Sequence, residues 1–126
     1  MVTPNFLQVD LHAHTRRSHD AWATPREFVR RAAAVGLDRV AITDHGTLRG
    51  ALEAREYDAG RVIVGEEIHC RELVDLIGLF VSEHVPDGLP AREAAARIRG
   101  QGGVVYAPHP FAYLARPAWK AALVLD

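Results

Sequence analysis

The sequence predicts an α/β fold built from parallel β/α units, and three observations carry that expectation. Short apolar runs alternate with stretches of helical periodicity along the 126 residues, which is the order of strand and helix repeats rather than of a bundle or a sandwich. Helix boundary signals fall between those runs. Three of the runs close in a His or Glu cluster, and the carboxyl ends of parallel strands are where sites assemble in such folds.

Five strands are expected. The first is "FLQVDLH" (6–12), which opens the run "VDLHAHT". There Val9, Leu11 and Ala13 alternate with Asp10, His12 and His14, so a strand of period two puts the apolar side chains on one face and the polar ones on the other. The second is "DRVAIT" (38–43), the third "RVIVGEEI" (61–68), the fourth "LVDLIGLFV" (73–81) and the fifth "GVVYA" (103–107).

The first helix is the best marked. Thr24, Pro25 and Glu27 form a capping box with a first-turn proline, and Gly36 is the expected stop. Phe28, Ala32 and Val35 are its expected buried stripe. A second helix is expected over 47–57, and a third from Pro90 to about Gly100 with Ala94, Ala95 and Ile98 inward. The segment "EHVPDGLP" (83–90) reads as a loop. After "YAPHPF" the run ending "AALVLD" reads as a helix leading towards a further strand.

Length and composition bound the rest. A chain of 126 residues, 48% hydrophobic and 25% charged, has the material for one core, so a single domain over 1–126 is expected. The formal charge of −1 argues against a protein that grips nucleic acid through a basic surface. Cys70 is the one cysteine, which excludes an intramolecular disulfide and points to a cytoplasmic protein. No apolar stretch is long enough for a membrane span, and no targeting segment is visible.

Seven histidines occur, at 12, 14, 19, 45, 69, 84 and 109. His12 and His14 close the first strand, "TDH" (43–45) the second and "GEE" (65–67) the third, while "PHP" (108–110) follows the fifth. Imidazole nitrogen and carboxylate oxygen together suit zinc, manganese or iron. A glutamate can bridge two ions, and a bridged pair about 3.5 to 4 Å apart clamps a phosphoester.

In order, "DLHAHT", "ITDHG", "VGEEI" and "APHPF" resemble the PHP (polymerase and histidinol phosphatase) superfamily, and the likeness covers nearly the whole chain. The longer stretches around "RVAITDHGTLRGALEA" and "GGVVYAPHPF" are more similar to its small bacterial phosphoesterase-like members than to its polymerase-associated domains. The resemblance implies a distorted TIM-like barrel of seven β/α units, here about five strands of it. It implies two or three divalent ions (Mn, Zn or Fe) held by His12, His14, Asp20, His45, Glu67 and His109. His12 and His14 match the paired ligands of the first metal and Glu67 the bridging carboxylate. Asp20 and His45 match another metal position, and His109 matches a ligand of the second metal. Glu67 and His109 are the residues expected to take part in catalysis.

Alternatives stay open at several positions. His19 competes with Asp20 as the ligand in "SHDA". Glu66 and Glu67 face opposite ways on a regular strand, so one of them is expected outside the site, solvated or supporting a ligand. Asp44 and Asp10 are expected to orient imidazoles. His69, His84 and Cys70 are read as having no part in the site. Arg16 and Arg17 are either solvated or available to a substrate phosphate.

Two features depart from the family pattern. Asp75 stands on the fourth strand where some relatives place a metal-binding His, and the family continues past "HPF" with strands bearing further ligands. A fragment, a barrel completed by a homodimer or second chain, and an open-sheet remnant are the three expectations this raises. The expected function is hydrolysis of a small phosphomonoester or phosphodiester by metal-activated water. The competing reading is a non-catalytic metal-binding remnant or a fragment of a longer PHP protein. A polymerase-linked proofreading domain ranks below both, because no nucleic-acid-binding stripe is present.

Overall fold

The computed structural model describes residues 6–110. The expectation for "AALVLD" therefore lies outside the described residues. The elements in order are β1 (Val9–Ala13), α1 (Pro25–Ala34), β2 (Arg39–Ile42), α2 (Arg49–Tyr57), β3 (Val62–His69), β4 (Asp75–Leu79), α3 (Ala91–Gly100) and β5 (Val104–Tyr106). The strands lie side by side in sequence order in one curled sheet, a half-barrel of the mixed α/β class.

Three strands, β1 to β3, are parallel, as the sequence pattern requires. The direction of β4 corrects the expectation of an all-parallel run, because it pairs antiparallel with β3 and with β5. The reason is chain length. Five residues, 70–74, separate β3 from β4, whereas a crossover to a parallel neighbour needs about a dozen or more. The connection is instead a tight turn in which Cys70 N–H donates to the Val74 carbonyl and Leu73 takes φ 61°.

Alternation along the strands sorts the core into two faces. Ile42, Val62, Val64, Ile68 and Leu76 point towards the helices, where Val29 of α1, Ala51 and Ala54 of α2, and Ala94, Ala95 and Ile98 of α3 cover them. Ala41, Ile63, Ile77 and Leu79 form a smaller apolar cluster that includes the half-buried Tyr106. Glu67 shares its strand face with Ile63 and Gly65, and Glu66 shares the opposite face with Val62 and Val64.

Helix α1 starts as expected, with both halves of the Thr24–Glu27 capping box formed, and ends before Gly36 at φ +85°. Its buried face differs in part. Pro25, Val29 and Ala32 are buried and Phe28 packs half-buried against the core, while Val35 is left 71% exposed at the helix end. Strand β1 begins at Val9, so Phe6 and Leu7 of the expected run precede it as exposed chain. Among the described residues, no helix is long and apolar enough to cross a membrane.

Candidate metal centre

The parallel ladder delivers the histidines to one rim. Beyond the end of β2, His45 still bridges to Glu67 of β3, with Glu67 N–H donating to the Asp44 carbonyl and Gly46 N–H to the Glu67 carbonyl. Between Asp10 and Ala13, two β1 residues, Leu11 and His12, face the single β2 residue Ala41, a bulge of the kind that re-aims side chains beside sites.

Glu67, 2% exposed, is the hub. Its Oε2 lies 3.1 Å from His12 Nε2, 2.9 Å from His14 Nε2 and 3.6 Å from His45 Nδ1, while its Oε1 lies 3.9 Å from His109 Nε2. The two imidazole nitrogens of His12 and His14 are themselves 3.0 Å apart. Ligands about 2.1 Å from one ion and at right angles around it are separated by about 3 Å, so this donor set fits a divalent cation. A second group joins it, with Asp20 Oδ1 3.1 Å from His14 Nδ1 and Asp20 Oδ2 3.2 Å from His45 Nε2. His14 belongs to both groups through different nitrogens. The contact of its Nδ1 with Asp20 holds the His14 ring with Nε2 turned towards Glu67.

The six residues expected from the sequence are therefore brought together around a cavity of about 320 Å³. Asp20, rather than His19, carries the oxygens that face His14 and His45. His19 stacks on His45 at 5.0 Å between ring centroids. His109 lies at the open side, its side chain 54% exposed.

Charge follows geometry. The Glu67 hydrogen bond, against the opposing effect of burial and with help from Asp20, lifts the His14 pKa to about 9. Burial works against ionisation of Glu67, but His14, His12 and His45 outweigh it and hold the carboxyl below its ordinary range. Asp20 is likewise lowered, with burial opposing and His14 and His45 prevailing. In metal-free protein the raised His14 pKa contributes stability that is fully present below pH 6.5 and is lost as pH rises through about 9. Thermal unfolding in excess chelator is expected to show that decline; a profile flat from pH 6 to 10 contradicts it.

Several supporting roles differ from the sequence expectation. Asp44, fully buried, orients no imidazole; it accepts from Thr15 N–H (2.6 Å), Thr15 Oγ1 (2.7 Å) and Ser18 Oγ (2.9 Å). Ser18 Oγ in turn accepts the His45 N–H at 2.8 Å. This network ties the loop carrying Asp20 to the end of β2. Asp10 accepts the backbone N–H of His12 and likewise holds no ring. Glu66 lies outside the cavity but is not solvated. It is fully buried and accepts from Val85 N–H (2.6 Å), with His84 Nδ1 2.7 Å away, and burial raises its pKa against those contacts. Arg17 is engaged by Glu53 at 2.6 Å, and Arg16 is exposed.

Sequence reasoning missed Asp75 as part of the cavity wall and His69 as its partner, with Nδ1 and Oδ1 2.7 Å apart. The signal was present in the alternation: His69 is two residues past Glu67 and shares its face. The antiparallel register then sets Asp75 opposite His69.

Comparison with known proteins places these observations. A family model described as the PHP domain matches residues 10–89. An uncharacterised protein of Methanocaldococcus jannaschii is 35% identical over 133 residues, spanning 95% of this chain and 77% of that protein. The error-prone DNA polymerase of Nocardia farcinica is 33% identical over 121 residues, 90% of this chain but 9% of the polymerase. The crystal structure of a candidate metal-dependent phosphoesterase from Bifidobacterium adolescentis superposes with a TM-score of 0.68 at 19% identity, covering 96% of this chain and 75% of that one, and shows the shared fold.

Proposed function

Because the chain belongs to the PHP domain family, we propose that it is a metal-dependent hydrolase of small phosphomonoesters or phosphodiesters. The observation that carries this reading is the triangle of His12 Nε2, His14 Nε2 and Glu67 Oε2, with sides of 2.9 to 3.1 Å. His45 and His109 approach the Glu67 carboxylate, and Asp20 meets the other nitrogen of His14.

His12, His14 and Glu67 would hold one divalent ion, and Asp20 with His45 would hold another, with Glu67 reaching both groups. Ions bound there would supply activated water and neutralise charge on the phosphoryl oxygens. The donor set of imidazole and carboxylate suits manganese, zinc or iron. His109, whose Nε2 is 3.9 Å from Glu67 Oε1 and whose side chain is 54% exposed, would give a proton to the departing oxygen. The cavity of about 320 Å³ is at the small end for ligand sites, which fits a phosphoryl group rather than a large substrate.

Phosphate release from a phosphomonoester and a phosphodiester, measured with added Mn²⁺ or Zn²⁺ and with excess chelator, tests the reading. Turnover is expected with metal and is expected to vanish in chelator and in the His12→Ala/His14→Ala double variant. Turnover retained in either condition overturns it.

A further inference from the structure

A second concavity, of about 510 Å³, opens between the β1–α1 loop and helix α1, and its walls include Trp22, Phe28, Val35, Leu37, Arg31 and His14. Three observations give it meaning. His14 lines both this groove and the metal cavity, so the two are separated by one side chain. Trp22 is 94% exposed and sits two residues beyond Asp20. An indole left wet at the edge of an apolar concavity offers a flat aromatic face on which another ring can stack. Finally, no acidic residue lines the groove, and Arg31 is basic, whereas Asp20, Glu67 and Asp75 line the neighbouring cavity. The cavity is built for cations and the groove for the organic part of an anion.

We propose that this groove receives the alcohol half of the phosphoester, and that the alcohol carries a flat apolar ring which lies against Trp22. The assignment rests on the phosphoesterase reading above. With the phosphoryl group at the Nε2 side of His14, the ester linkage passes this imidazole and the ring lies against Trp22 at the β1–α1 loop end of the groove. The volume suits an aryl or nucleoside moiety, since small-molecule sites run from about 300 to 1,000 Å³.

The test uses benzyl phosphate and glycerol phosphate, whose leaving alcohols are of similar acidity, so that a preference reports binding of the ring. The protein is expected to favour benzyl phosphate in kcat/KM, and Trp22→Ala is expected to cut that ratio about tenfold through loss of stacking. Val35→Asp should act in the same direction by placing a carboxylate in the groove. Both side chains are exposed, so folding is not at stake in either variant. A readout independent of turnover is the indole N–H resonance of Trp22, identified by its loss in Trp22→Ala. It should move on titration with benzyl phosphate and stay in place with glycerol phosphate. Metal-dependent hydrolysis of both esters with an unchanged ratio in Trp22→Ala, or a resonance that stays in place with benzyl phosphate, overturns the groove assignment and leaves the phosphoesterase reading standing. If neither ester is hydrolysed, the substrate assignment falls, and the phosphoesterase reading falls with it when the phosphodiester of the assay above is also left intact.

Discussion

Glu67→Gln is expected to abolish tight binding of a divalent cation while leaving the fold in place. The substitution keeps the shape of a side chain that is 2% exposed but removes a carboxylate whose oxygens lie within 4 Å of all four of His12, His14, His45 and His109. An amide offers a single weaker acceptor oxygen, and its NH₂ group turns donors towards the ion positions. Removing a partner that merely orients a ligand costs about 10- to 100-fold in metal affinity, so loss of the shared ligand should exceed 100-fold. Zinc or manganese titration by calorimetry measures it, with circular dichroism as the check on folding. The neighbouring Glu66→Gln supplies the contrast. That residue lies on the opposite face with Val85 and His84, so its replacement should lower stability by about 1 to 2 kcal/mol without moving metal affinity. Equal affinities for Glu67→Gln and the unmodified protein would remove the basis of the site assignment.

Gly50→Ala should be the most damaging small substitution in the chain. Gly50 lies buried in the first turn of α2, and a Cβ there would collide with Asp44 Oδ2 and stand 2.6 Å from Thr15 Oγ1. Neither neighbour can retreat cheaply, because Asp44 is fully buried and binds Thr15 and Ser18. Overpacking combined with a broken buried network costs about 3 kcal/mol or more, and Ser18 carries the effect to the backbone of His45. Urea unfolding should show the loss of stability, and metal titration should show weakened binding in whatever fraction stays folded. Gly36→Ala serves as the comparison. Its site has φ +85° and no atom within 4 Å of an added Cβ, so only backbone strain of about 1 to 2 kcal/mol is at stake. If the two variants unfold at the same urea concentration, the packing argument at Gly50 is wrong.

How much of the fold is legible in the sequence depends on the range of the interactions involved. Thr24, Pro25 and Glu27 announced α1 because a capping box is made within four residues, and both of its hydrogen bonds are present. The inward face of α3 was legible for the same reason, since Ala94, Ala95 and Ile98 follow from helical period alone. Five of the candidate ligands, His12, His14, His45, Glu67 and His109, were legible through motifs at or just past strand ends, and parallel pairing of β1 to β3 brings the ends of those strands to one rim; Asp20, in the loop after β1, was legible only through the family resemblance. The direction of β4 was also within reach, because a connection of five residues admits only a tight turn; it was hidden by reading the strand run as uniform.

By itself the sequence determined the α/β class, the positions of the strands and helices to within a few residues, and the set of histidines and carboxylates offered to the site. Tertiary structure alone decided what those carboxylates do. Asp44 and Asp20 are alike in local context, each adjacent to a histidine in a loop-like segment, yet Asp44 is enclosed by Thr15 and Ser18 while Asp20 meets His14 and His45. Glu66 and Glu67 are adjacent, yet one faces the helix-covered core and the other the rim. Local propensity records which conformation a residue adopts. Hydrogen-bond partners 25 to 55 residues away in the chain exist only once the sheet has curled and brought them within 3 Å or so of one another.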